Sequence, residues 1–316
     1  MKRLFLAVVL LTLVAGEGRP EPGADTVSAV PAVGSTGVTV YTFFFNVVHE
    51  PFPFPLVGFF NMAFGNHEPL QIGFVNYNSG SFDGLQTGFV NIVVAGFQGM
   101  QTGFVNTAGA GFRGVQLGFV NTAAAGGSGA QVGFVNTSAA PLTGTQIGFV
   151  NIVDSIDGGI PVGFISVVRH GGFRAVEYAL QEFHLLGVGF KLGVERFYTT
   201  FSVAYDPSGS NSGNDFVAGI GFGSIIPVGA AFFFNPEFAQ LTRLGFGRGP
   251  QFTSFTPFFG YSIDRHFSVT AGPSVTWQWA TGETDLQEPV FAVVHHRIND
   301  RHSLALGARL ALRARF

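Results

Sequence analysis

Two groups of residues have the types and spacing for chemistry. The first is a cluster of His170, Arg174, Glu177, Glu182 and His184, with Lys191 a little further on, in a chain of which only 11% is charged. Hydrolysis at such a cluster would need Ser, His and an acid to converge. Without that convergence the same residues suit ion pairs in a closed interior, together with Arg309 and Arg313 near the chain's end. The second is the pair His295-His296. Adjacent strand residues face opposite sides, so one metal ion cannot readily use both. The recurring Gly-Phe-Val-Asn is no phosphate loop, because such a loop must lead into a helix and no helical pattern comes after it. These residues point to no catalytic centre and no cofactor. The charged set is expected to line the lumen of a barrel, whose interior is ordinarily polar.

The elements that must position them are β-strands. The 316 residues include 45 Gly and 38 Phe. An ordinary soluble domain carries about 25% charged residues, so this chain either hides its surface or faces something other than water. A net charge of −3 gives no basic field for nucleic acid. The absence of cysteine excludes disulfides and thiolate metal sites. Lys2 and Arg3, a short apolar run over residues 4–14 and the small residues Val14-Ala15-Gly16 have the form of an export signal. The expected organisation is a signal peptide over 1–16, a flexible lead-in over 17–40, a repeat region over 41–175 and a barrel region over 176–316.

The repeat has a period of fifteen. Gln recurs at Gln71, Gln86, Gln101, Gln116, Gln131 and Gln146, and Asn at Asn76, Asn91, Asn106, Asn121, Asn136 and Asn151, with a Gly-Phe between them in each unit. A fixed short period means one structural unit stacked many times. Nine units fit two architectures. In a parallel β-solenoid each unit is one coil, and every Gln and Asn lies over its own copy in a hydrogen-bonded ladder. Phe is then expected to stack inside, with the glycines making room. In an antiparallel meander each unit is instead one strand and turn of a single large barrel. The ladder argument favours the solenoid. A uniform Gln/Asn face would suit repetitive contact with a glycan, a neighbouring copy or a surface protein.

After about residue 175 a strict alternation takes over. Leu186, Val188, Phe190 and Leu192 alternate with Gly187, Gly189, Lys191 and Gly193. Val269 to Trp279 alternates with Thr270 to Gln278, and Leu304 to Leu312 with Gly307, Arg309 and Arg313. These apolar faces are tall enough for the ~25 Å lipid-facing band of a membrane barrel, and the chain ends on such a strand in Phe316. Trp277 and Trp279 suit an interfacial aromatic belt. Short and long connections alternate, which fits an antiparallel barrel of seven or eight strands, provided that 290–298 belongs to the last loop rather than to the wall.

The units "LQIGFVN" and "VQLGFVN" resemble the tandem GLQIGLVN-type repeats of a bacterial surface-repeat family. The stretch "GIPVGFISVVRHGGFRAVEY", continued by "GFKLGVERFYTTFSVAY", resembles the segment directly after such repeats in outer-membrane relatives. The resemblance covers roughly 40–205, with Phe here where Leu is usual. It implies a location in the outer membrane or at the surface of a Gram-negative-type cell, and no enzymatic activity. The expectation is therefore a non-enzymatic outer-membrane β-protein that touches membrane lipid, with a barrel as anchor and the repeats for display, binding or support. The alternatives are a porin-like channel with the repeats as wall strands, and a membrane-embedded hydrolase.

Overall fold

A computed structural model describes residues 38–205, 216–244, 250–280 and 286–316. The expected signal peptide and most of the lead-in lie outside the described residues. Every element among the described residues is a β-strand, and the chain divides into two units, residues 1–159 and 160–316.

The first unit is a parallel β-solenoid. Residues pair with those fifteen places on, Gln101 with Gln116, Gln116 with Gln131, Asn106 with Asn121 and Asn121 with Asn136, until Leu142 and Thr143 meet Ile156 and Asp157, fourteen places on. The early coils contain short strands such as Leu70–Ile72 and Val75–Asn78, whereas the later ones run unbroken, as in Phe112–Ala123 and Leu142–Val153. At the start of the stack Val40–Tyr41 pairs antiparallel with Asn46–Val47 and covers the open edge of the first coil. The meander alternative is thereby excluded, since successive repeats pair in parallel.

The coil is turned the other way from the expected one. Every Gln and Asn of the two ladders is fully buried, while Phe89, Phe119, Phe134 and Phe149 are 41–45% exposed. The chain bends at each Gly-Phe, so Asn turns inward and Phe forms an outer corner. Gln86 Nε2 donates to Gln71 Oε1 (2.6 Å), and the ladder continues at 2.7–2.8 Å through Gln101, Gln116, Gln131 and Gln146. Asn106 accepts from Asn91 Nδ2 (2.8 Å) and donates to Asn121 Oδ1 (2.9 Å) and to the Leu117 carbonyl (2.8 Å). Burying an amide is costly only when it lacks partners, and stacking each amide on its own copy supplies them. Outside, the phenyl rings of Phe74, Phe89, Phe104, Phe119, Phe134 and Phe149 stack at 4.9 Å with planes within 6° of parallel.

The close stacking also fixes glycine. A Cβ at Gly118 would lie 2.5 Å from the Gly103 carbonyl oxygen and 2.6 Å from Asn106 Nδ2. The ladder itself is directly testable. Asn106→Ala strands the Asn121 and Leu117 acceptors and is expected to destabilise the fold by about 2–3 kcal/mol, at the cost of roughly 1–3 per buried unsatisfied group. Thr107→Ala, on the outer side of the next residue, should stay within ~1 kcal/mol. Urea unfolding monitored by circular dichroism distinguishes the two.

The second unit contains a closed antiparallel barrel of eight strands. In order they are Phe173–Leu180, Leu186–Val194, Phe197–Tyr205, Phe216–Gly223, Phe232–Arg243, Pro250–Ser262, Phe267–Ala280 and His302–Arg315. The eighth closes on the first, with Glu177 opposite Arg313. The alternation read from the sequence sets the faces. Val188, Phe190, Leu306, Leu310 and Leu312 are exposed outside, while Lys191, Thr270, Ser274, Thr276 and Arg313 are buried inside. Val294–Asn299 pairs with the start of the eighth strand as a short hairpin and does not cross the wall, so it belongs to the last connection. Ahead of the first strand, Pro161–Val168 lies against the outside of the wall. There Thr199 Oγ1 donates to the Gly163 carbonyl (2.8 Å) and Phe164 packs edge-on to Phe201 at 5.1 Å.

Candidate functional site

The barrel interior brings distant charges together in one layer. Glu177 on the first strand accepts from Arg313 Nε (2.9 Å) and Nη2 (2.7 Å) at one oxygen. Its other oxygen takes Arg309 Nη2 (2.9 Å) and faces Lys191 Nζ at 3.3 Å. Glu237 on the fifth strand accepts from Arg309 Nη1 (2.7 Å), from Tyr198 Oη (2.9 Å) and from Lys191 Nζ. Asn235 links Arg313 Nη2 (2.6 Å) to Tyr198 Oη (2.6 Å). All of these except Arg309 are buried to 2% exposure or less. Aromatic rings flank the cations, with Lys191 4.9 Å from the Tyr198 centroid and Arg309 5.0 Å from that of Phe258.

Apolar layers close this charge layer on both sides. One is Phe173, Ala175, Tyr198, Ile225 and Phe233, and the other is Phe183, Val217, Leu241, Phe252 and their neighbours. A cavity beside Arg309 and Glu237 measures about 20 Å³, which has room for about one water molecule. Side chains fill the interior, as is usual for an eight-stranded barrel.

The sequence-predicted charges divide among different places. Glu177, Lys191, Arg309 and Arg313 meet in the layer just described. Arg174 does not join them, because its odd spacing from Glu177 puts it on the other side of the strand. There it donates to the carbonyls of Val168 (2.8 Å) and Arg169 (3.3 Å). Glu182 and His184 lie in the connection between the first two strands, which tucks into the barrel mouth. Glu182 accepts from Ser274 Oγ at 2.6 Å, whereas the His184 ring faces Gln181 Nε2 (2.9 Å) and packs edge-on to Phe252 (4.7 Å). Sequence reasoning missed Glu237, Tyr198 and Asn235. The signal for Glu237 was present, since it is the sole acidic residue between 216 and 263. Among the described residues no three His, Cys, Asp or Glu side chains converge on one point.

The solenoid carries a second feature, a groove of about 900 Å³ along the coil corner half a turn from the Phe corner. One rail is a column of exposed or half-exposed side chains, Glu68, Asp83, Gln98, Arg113 and Ser128, one per coil. Gln98 Nε2 donates to Asp83 Oδ2 (3.1 Å). At one end Glu50 accepts from the backbone N–H (3.0 Å) and Nδ2 (3.2 Å) of Asn66. Beneath the rail lie the stacked rings of Phe52, His67, Phe82 and Phe97, at centroid spacings of 6.1–6.4 Å. Burial lowers the pKa of His67, whose ring bridges the Phe54 carbonyl (3.1 Å) and Gln71 (3.4 Å). The arrangement offers a line of carboxylate, amide, guanidinium and hydroxyl groups at the coil repeat of about 4.8 Å. The twelve ladder amides, expected to form a contact face, are fully buried inside the coil.

No protein family, curated protein or solved structure matches the chain.

Proposed function

We propose that this is a non-enzymatic outer-membrane protein of a Gram-negative-type cell, in which the barrel anchors the chain and the solenoid displays a binding surface. It would belong with the bacterial surface-repeat proteins that its "LQIGFVN" units resemble. The observation that carries the reading is the barrel: its outer wall is apolar, and its interior is filled by a paired charge layer between two apolar layers. An outer face of that kind suits lipid, and a filled interior suits an anchor rather than a conduit. The porin-like alternative needs the repeats as wall strands, whereas they stack as a solenoid.

The binding surface in this reading is the solenoid groove rather than the Gln/Asn ladders. A rail of hydrogen-bonding groups at one per coil favours an extended glycan over a folded protein partner, because a glycan presents hydroxyl groups at a comparable regular advance. The experiment is heat-modifiable gel mobility of the outer-membrane fraction, and then planar-bilayer recording of the purified chain. The expected result is a mobility shift on boiling with no single-channel steps. Regular conductance steps would overturn the anchor reading, and absence from the outer-membrane fraction would overturn the location.

A further inference from the structure

Charge is distributed over the solenoid in an unusual way. Between residues 56 and 153 there are three charged side chains, Glu68, Asp83 and Arg113, and their spacing of 15 and 30 residues puts all three in the single column that forms the groove rail. Within that span the rest of the coil exterior carries none; Glu50, Asp154 and Asp157 lie at the two ends of the stack. Half a turn from the rail, the Phe corner is a continuous aromatic ladder from Phe44 to Phe149, with successive centroids 4.9–5.3 Å apart. Its rings are more than two-fifths exposed at most positions. At roughly 200 Å² per aromatic side chain the ladder alone presents on the order of 600 Å², the upper end of what a soluble monomer leaves uncovered. Apolar columns flank it, with Ile72, Leu85, Met100 and Ile147 all exposed.

The backbone beneath this face has no free hydrogen-bonding edge, because strands pair with the coils before and after them and the open edges lie at the ends of the stack. Most buried amides bond to their own copies inside, with Gln146 Oε1 at the last rung and Asn78 Oδ1 as exceptions, and on the outside Thr137 Oγ1 donates to Thr122 Oγ1 at 3.2 Å. The interior is thus polar and largely satisfied, and the side walls are uncharged and mostly apolar, with Thr87, Thr102 and Thr145 among them. This is the distribution that hydrocarbon demands of a protein, since lipid supplies no partners for polar groups. The ladder runs about 34 Å along the stack at the ~4.8 Å strand spacing, a strip that can lie along a lipid surface with the charged rail turned to the opposite, aqueous side.

We infer that the Phe-ladder side of the solenoid contacts phospholipid acyl chains while the groove side remains in water. The inference rests on the membrane reading of the barrel and adds a second lipid-contacting surface outside it. The absence of native cysteine allows a direct test by single-site nitroxide labelling of the full chain in palmitoyl-oleoyl phosphatidylcholine vesicles. Labels are placed at Phe119→Cys on the ladder, Gln98→Cys on the rail and Leu310→Cys on the outer barrel wall, with Phe134→Cys as a second ladder position. Collisions with oxygen, which partitions into lipid, are compared with collisions with a polar nickel chelate.

The expected result is that position 119 behaves as 310 does, with nickel collisions roughly tenfold rarer than at 98, because hydrocarbon excludes polar solutes. If 119 instead behaves as 98 does while 310 is lipid-exposed, the inference is overturned and the anchor reading stands. If 119 is shielded from both reagents, protein covers the ladder, a second copy foremost, and the inference is again overturned. If 310 itself is open to nickel, the barrel is not in lipid, and the reading on which the inference rests falls with it.

Discussion

Gly114→Ala is expected to destabilise the repeat region by about 3–6 kcal/mol, the sum of a strained backbone at roughly 1–3 and overpacking at roughly 1–3. Gly114 has φ +132°, a conformation that L side chains rarely adopt, and an added Cβ would stand 2.0 Å from the Gly99 carbonyl oxygen. The obstacle is the backbone of the preceding coil, which cannot rotate away as a side chain could. In a stacked array each coil is held only by its neighbours, so one separated step divides the stack. Limited proteolysis of the full chain should therefore gain a cleavage region near residue 114, together with a lower thermal midpoint. Phe119→Leu, at an exposed ladder position, should lie within ~1 kcal/mol of the unaltered protein. Equal thermal midpoints for Gly114→Ala and the unaltered chain would mean that the coils do not pack at this distance.

In the barrel, the expected large effect is Glu177→Gln, at about 3–5 kcal/mol. Glu177 is the shared partner of Arg313, Arg309 and Lys191, and all four are nearly or fully removed from water. Loss of its charge leaves the layer with three cations and the single carboxylate of Glu237, in surroundings that cannot solvate them. The temperature at which the barrel loses its compact gel mobility reads the effect. Glu195→Gln supplies the comparison. Glu195 pairs with Arg315 at 2.7 Å, but the two side chains are 48% and 31% exposed, and exposed pairs contribute about 0–1 kcal/mol. The same chemical change should therefore matter several-fold more inside than at the rim. Similar shifts for both would count against a dry interior.

The period of fifteen and the alternation after residue 175 were legible because each is a count along the chain. Stacking every fifteenth residue fixes the solenoid, and alternate burial fixes which barrel residues face inward, as with Lys191, Arg309 and Arg313. The content of the coil interior was not legible from hydrophobicity. Phe119 reads as core and Gln116 as surface until the bend at Gly118 is known, and that bend carries Phe119 out and Asn121 in. The ladder argument contained the remedy. An amide that always meets its own copy needs no water, so the stacking that explains the repeat of Gln and Asn also permits their burial. Arg174 was misplaced although parity was available, since three residues along a strand reverse the face. Glu237 was overlooked because its partners Lys191, Tyr198 and Arg309 come from three other strands, and only barrel closure brings them near.

In-register stacking has one more consequence. Because residue 116 lies on residue 101 and beneath residue 131, a whole fifteen-residue repeat can be gained or lost without disturbing any column. Each such event changes the height of the array by about 4.8 Å. Reach is thereby decoupled from foldability, and selection can adjust it in fixed increments.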